Sequence, residues 1–317
     1  MQRYNDLKTL ILKSDRNEFE RYYIEHMQGS DVLTTSFYRF SKHLLWKIQW
    51  LHMKILNLPF QEIFYGNWKK NIEKFDRIIV FDENLNWNII SYLRRKNPKA
   101  RIIVWYWNPI NEHNLLSEKY RDMCEVWSFD KNDCQRYGFK NNIQFTVIDY
   151  ERGTDENIND LIFIGADKGR AETVIRLKKI IESIGMSFFV RFPSKYGKDG
   201  KFQEYKSKMI EYSTIIEYEK KSRCIVEILQ EGQSGMSLRA IEAIALGKKL
   251  ITNNLDLPKM NFFDDTRIFV LDVDNMCDSV DDIKQFLELK FNDYSKEVYN
   301  TYSFESWLKN FNGEGEP

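Results

Sequence analysis

No stretch of about 18 apolar residues occurs in the sequence, so no segment reads as a membrane-spanning helix. The first residues carry no charged-then-apolar leader with a small-residue cleavage site, and secretion is not expected. Cysteine is scarce. Cys124, Cys134, Cys224 and Cys277 lack the paired short spacing of zinc or redox motifs and suggest no disulfide framework, so a reducing cytoplasm is the expected setting. There is no Pro- or Ser-rich tract, no internal repeat and no heptad pattern, which excludes repeat arrays and coiled coils. Net charge is absent too, with 47 Lys plus Arg against 47 Asp plus Glu. Without a global basic field no nucleic-acid partner is expected, and any anion site must be local.

Hydrophobic residues make up 43 % and charged residues 30 % of the 317, a balance that buries real cores and at this length favours two domains. Aromatic residues reach 15 %, and most of those rings belong in cores. Short β-branched runs at 7–12, 31–35, 77–81, 101–105 and 125–129 predict strands, with a helix over 88–96 stopped by Pro98. That alternation implies a parallel, doubly wound, Rossmann-like sheet. Across 150–160 the sequence turns rich in Asp, Glu, Asn and Gly, including Gly153 and Asp155, as an interdomain linker does. A second series then predicts strands at 161–165, 187–191, 224–229, 249–252 and 267–271, and helices at 170–184 and 237–246. The expected fold is α/β of the GT-B type, two Rossmann-like domains with mostly parallel sheets facing a central cleft. Their expected limits are 1–152 for the first domain, 153–300 for the second and 301–317 for a returning helix and tail.

Two segments carry candidate chemistry. In Gly232-Gln-Ser-Gly-Met-Ser-Leu-Arg-Ala-Ile-Glu242, glycines allow close backbone approach and Ser237 is placed to cap a helix whose free N–H groups favour phosphate. Arg239 could then face the phosphates, and Glu242 could accept two ribose hydroxyls. The helix ends at Gly247 and feeds a strand that delivers Thr252, Asn253 and Asn254. The plainer alternative is an ordinary capped helix–strand unit. In Phe163-Ile-Gly-Ala-Asp-Lys-Gly-Arg170, a buried strand ends at Gly165, and Lys168 and Arg170 stand at a helix start. Cations there are mildly unfavourable unless an anion is present.

Together with Trp127-Ser-Phe-Asp-Lys-Asn-Asp-Cys-Gln-Arg-Tyr-Gly138, these segments resemble bacterial glycosyltransferases encoded with lipopolysaccharide, O-antigen and capsule clusters. The resemblance spans about 127–254. It implies a nucleotide-sugar donor site in the second domain, with Glu242 on the ribose. Gly165, Lys168, Arg170, Gln233, Ser234, Gly235, Ser237, Arg239, Thr252 and Asn253 would stand about the donor. The second carboxylate that many retaining enzymes of this type place eight residues before the helix Glu is missing: Ser234 stands there, and Glu231 is out of register.

The first domain is expected to hold a glycan or lipid-linked glycan acceptor and a general base, with Asp82 and Glu83 following the 77–81 strand and His113 in a loop as candidates. Asp272-Val-Asp274 looks like a metal-binding pair but has no accompanying carboxylate or His cluster, so no essential metal and no other cofactor is expected. If helical, 42–58 shows Leu44, Ile48, Leu51, Ile55 and Leu58 on one side and Trp46, Trp50 and Met53 on the other. The first stripe suits a sheet. The second, flanked by Lys42, His43, Lys47 and Lys54, suits a lipid headgroup layer at the inner face of the plasma membrane. The expected activity is metal-independent glycosyl transfer from a nucleotide sugar to a bacterial surface polysaccharide or lipid-linked glycan. The alternatives are an epimerase or hydrolase of the same fold, or a non-catalytic nucleotide-sugar-binding subunit.

Overall fold

The structure, a computed structural model, describes residues 7–39, 44–150, 158–194, 202–230 and 235–313. Lys42, His43, Gly153, Asp155, Glu231, Gly232, Gln233 and Ser234 lie outside the described residues. The chain divides into two compact units, Met1–Ile143 with Trp307–Pro317, and Gln144–Ser306.

In the first unit, β1 (Thr9–Lys13), β2 (Val32–Ser36), β3 (Arg77–Phe81), β4 (Arg101–Tyr106), β5 (Glu125–Ser128) and β6 (Lys140–Asn141) form one parallel sheet in the order β2-β1-β3-β4-β5-β6. Strands β1 and β3 are buried along their whole length, which is why they read as continuous apolar runs. The helices are α1 (Glu18–His26), α2 (Leu44–Trp50), α3 (Asn88–Lys96) and α4 (Lys131–Tyr137). A reciprocal Asn17/Glu20 capping box starts α1, and Asp130 caps α4, which ends at Gly138 in the left-handed region.

The second unit holds β7 (Asn159–Ile164), α5 (Ala171–Ser183), β8 (Phe188–Pro193), β9 (Lys206–Ser207), α6 (Tyr212–Lys220), β10 (Ser222–Glu227), α7 (Leu238–Ala245), β11 (Lys249–Thr252), β12 (Ile268–Val270), α8 (Val280–Glu288) and α9 (Lys296–Thr301). Its strands are again all parallel, in the order β12-β11-β10-β7-β8-β9. Leu161, Phe163, Val174, Leu177, Val226 and Ile251 centre its core. Strands β6 and β9 escaped the sequence pattern because each is two residues of half-polar edge.

The last helix, α10 (Phe304–Asn310), brings Trp307 to full burial against Trp105, at 5.6 Å between ring centroids, and Phe81, at 5.9 Å. Arg77, also fully buried, donates to the Leu308 carbonyl and to Asn312 Oδ1, each at 3.1 Å.

The segment after residue 43 departs from its expected faces. Helix α2 stops at Trp50 and passes into a π-helical turn, Leu51–Ile55, which fits more residues into each turn than an α-helix. Met53 and Gln49 become fully buried, and Trp46 half-buried, while Ile48, Leu51, Ile55 and Leu58 are exposed. The outward face is therefore aliphatic, with Trp50 at its margin. Leu51→Ser with Ile55→Ser should leave the melting temperature within a few degrees, whereas Met53→Ser should lower it clearly. Equal losses from both would put the aliphatic face back in the interior. Trp307→Ala should cost about 3–5 kcal/mol in denaturant unfolding.

Candidate active site

The strand order of the second unit reverses between β7 and β10. In open α/β sheets the ligand crevice lies beyond the carboxyl ends of the strands at such a switch point. Here β7 ends into Gly165 and the turn to α5, and β10 ends at Glu227. Lys168 is a non-glycine residue held at φ 47, a conformation that costs energy and clusters at functional turns. Asp167 Oδ1 accepts from the Ala171 amide at 3.0 Å and fixes the start of α5.

Two guanidinium groups converge on Gly165. A Cβ built there would lie 2.7 Å from Arg239 Nη2 and 3.1 Å from Arg170 Nη2, so glycine is what lets both guanidinium groups close over the strand end. Both also sit 5.1 Å from the centre of the buried Phe163 ring. Arg170 donates to the Ile228 carbonyl at 2.6 Å, tying the two strand ends together. Burial, reinforced by Arg239, pushes Arg170 down to about 9. Lys168 is lowered by burial and then by Arg170 and Arg239. Arg239 Nε is buried without a hydrogen-bond partner. This is a site with positive charge and donor capacity in excess, as a diphosphate requires.

Glu227 opposes these charges from below. It is 1 % exposed, and Ser237 Oγ and Thr252 Oγ1 both donate to its carboxylate. Burial raises its pKa against the pull of those two hydroxyls and of Arg239 and Arg170. Sequence reasoning passed it over, although a carboxylate closing the apolar run of β10 was the signal. Ser237 also caps α7 through the Arg239 amide at 3.1 Å. Gly235 is left-handed at φ 75, and its carbonyl accepts from Asn254 Nδ2 at 2.9 Å. Asn253 Oδ1 accepts from the Leu229 amide at 2.8 Å.

Thr252 and Glu242 lie beneath this surface. Thr252 is fully buried, and Glu242 is 3 % exposed with Tyr212 donating to its Oε1. Burial raises Glu242 to about 7 against Arg239 and Tyr212, and the buried Glu219 is pushed well up by burial and by Glu242. The open carboxylate expected to meet a ribose is thus committed to a side chain of α6, because the buried face of α7 carries residue 242.

In the first unit the order reverses between β1 and β3. Lys13, fully buried, reaches both Glu83 oxygens at 2.7 and 2.8 Å and lies 4.8 Å from the Phe81 and Trp107 ring centres. Asp82 is 8 % exposed and accepts from the Trp107 amide at 3.1 Å, Asn114 at 3.3 Å and Asn108 at 3.5 Å. Burial, then Glu83, raises it to about 7 against those bonds and Lys13, a value suited to a general base. Burial also raises Glu83, with Lys13 opposing. His113 is exposed in its loop, its amide donating to Asn111. Asp272 spends its oxygens on its own turn, accepting from the Asp274 and Asn275 amides and Asn275 Nδ2. Among the described residues no group of three or more His, Cys, Asp or Glu converges on one point.

No family model matches the chain, and no curated protein matches it. Among solved structures, an α-glucosyltransferase in complex with UDP and a 13-mer DNA containing an HMU base superposes with a TM-score of 0.59 at 10 % identity, covering 96 % of this chain and 95 % of that one. A DNA-modifying β-glucosyltransferase, solved with and without uridine diphosphoglucose, gives 0.49 at 12 % identity over 96 % and 98 %. T4 phage BGT with UDP-glucose gives 0.44 at 13 % over 96 % and 94 %. The chain thus has the GT-B fold of two parallel six-stranded α/β sheets. The exclusion of nucleic acid drawn from balanced charge is overturned. A protein of this fold holds DNA, and a whole-chain charge sum says nothing about a local surface.

The raised carboxylates set the pH dependence of stability. Asp82 and Glu242 bind a proton more tightly folded than unfolded, so their contribution is full below the unfolded value near 4 and is lost as pH rises through about 7, and Glu83, Glu219 and Glu227, also raised, act in the same direction. The melting temperature should therefore fall between about pH 5 and 8. Glu242→Gln, which mimics the neutral form, should flatten that slope and leave UDP affinity within about twofold. A 10-fold loss of affinity in calorimetry would return residue 242 to the ligand.

Proposed function

We propose that the chain is a glycosyltransferase that takes a sugar from a nucleotide-sugar donor held by the second unit and places it on a hydroxyl acceptor. The observation that carries this reading is the convergence of Arg170 and Arg239 on Gly165 at the β7/β10 switch point, with Lys168 close enough to feel both charges. Catalysis gains from groups pre-placed where charge develops, and here the charge develops on the departing diphosphate. Gly235, Ser237 and Asn253 border the donor, with the amides at the start of α7 as further donors. Guanidinium and ammonium groups take the part a divalent ion would otherwise take, so the transfer runs without metal or other cofactor. In the first unit Asp82 takes the acceptor proton, with Glu83 and Lys13 beside it.

The acceptor in this reading is a bacterial surface polysaccharide or lipid-linked glycan, as the motif resemblance suggests. The exposed aliphatic face of Ile48, Leu51, Ile55 and Leu58, next to exposed Lys47 and Lys54, suits the lipid surface that carries such an acceptor on the cytoplasmic side. A second reading, a nucleic-acid acceptor, is favoured by the likeness to the α-glucosyltransferase solved with UDP and DNA.

The test supplies labelled UDP-, GDP- and dTDP-sugars with either a lipid-linked oligosaccharide or a duplex containing hydroxymethylated bases. Label should move to one acceptor class. Release of sugar at the same rate without any acceptor would leave a hydrolase, and no turnover with intact nucleotide binding would leave a binding subunit. Asp82→Asn should lower kcat about 10²–10⁴-fold at unchanged UDP affinity. In the wild type kcat/KM should rise through about pH 7 as Asp82 ionises. A limb that survives in Asp82→Asn would remove that residue from the proton transfer.

A further inference from the structure

Glu227 is a buried ionisable group to which the proposed transfer gives no task. It closes β10, is 1 % exposed, and feels the charge of both Arg239 and Arg170. A carboxylate is costly to bury, and its charge subtracts from the positive field that a diphosphate would meet. Charge balance therefore argues against a carboxylate at this position. Its hydrogen bonds argue for one.

Each carboxylate oxygen takes one hydroxyl proton, Oε1 from Ser237 and Oε2 from Thr252. A hydroxyl has a single proton to give, so both are left able only to accept. Ser237 accepts from the Arg239 amide at 3.1 Å, and Thr252 from the Asn254 amide at 3.0 Å. Asn254 then donates through Nδ2 to the Gly235 carbonyl at 2.9 Å. Two relays thus start at one carboxylate and end on one short stretch of chain, at Gly235 and at Arg239. That stretch contains the left-handed turn at Gly235, the cap of α7 and the side chain whose guanidinium closes over Gly165. An apolar residue at 227 would leave both hydroxyl protons without their acceptor and both relays without a fixed direction.

Resting on the proposed donor site, we infer that Glu227 is its positioning residue: acting through Ser237 and Thr252, it fixes residues 235–239 in the conformation that meets the diphosphate, without touching the ligand itself. The carboxylate is needed because it alone accepts from two hydroxyls at once. The positive field it subtracts is the cost of that geometry.

Calorimetric titration of the full chain with UDP and with uridine tests the role. Base and ribose are common to the two ligands, so the ratio of their affinities isolates the diphosphate, which a general loss of structure would not single out. Glu227→Gln keeps the size but turns one oxygen into an amide that takes no hydroxyl proton. The UDP-to-uridine ratio should fall about 10-fold, with uridine affinity unchanged. A mere counter-charge would do the opposite, since its removal would strengthen UDP binding, and an unchanged or raised ratio would overturn the inference. If the glutamine variant does not fold, the fully buried Thr252 gives the same comparison at constant charge. Thr252→Val should lower the ratio and Thr252→Ser, which keeps the hydroxyl, should retain it. Equal ratios in those two variants would overturn the inference as well. A wild type that binds UDP no better than uridine would remove the diphosphate seat and this inference with it, whereas a wild-type preference that survives in the variants sinks only the role of Glu227.

Discussion

Two guanidinium groups closed over one glycine are the constraint on which the second unit turns. Arg170 and Arg239 crowd Gly165 so closely that a methyl group there would displace the Arg239 guanidinium, and after burial Arg239 is what lowers Arg170 while both arginines lower Lys168. Like charges stay in such proximity only where packing holds them, and here Phe163 lies within 5.1 Å of both guanidinium groups while the Ile228 carbonyl anchors one. Glu227 supplies the opposing charge, but Ser237 and Thr252 already draw on it.

The two sheets share a logic and differ in chemistry. Each reverses its strand order once, between β1 and β3 in the first unit and between β7 and β10 in the second, and each gathers its buried ionisable groups at that reversal. The second unit gathers Arg170 and Arg239 over Gly165. In the first unit Asp82 is raised to about 7 beside the Lys13–Glu83 pair, an arrangement for moving a proton at neutral pH. Raised carboxylates lie in both units.

Much of this was legible in the residues, for identifiable reasons. Strands β3 and β11 begin and end where the apolar runs do, because a parallel strand covered on both faces leaves no room for polar residues. The cations at 168 and 170 stood out because a helix start repels them. Other features depended on geometry that no pattern encodes. The segment after residue 43 buries Met53 and exposes Leu51, the reverse of the faces expected from its apolar stripes. Glu242 was assigned to a ribose from its place in a helix, but only packing reveals that α6 offers Tyr212 to the same carboxylate. Net charge, a sum over the whole chain, was too coarse to speak about nucleic acid.

The most direct measurement compares UDP with uridine by calorimetric titration of the wild-type chain at two salt concentrations. If Lys168, Arg170 and Arg239 form a diphosphate seat, UDP should bind at least about 100-fold more tightly than uridine, a difference of about 2.7 kcal/mol, and its affinity should fall as salt rises. Equal affinities for the two, or UDP binding indifferent to salt, would contradict the account, since the ligand would then be held by its base and ribose and the three cations would have no part in it.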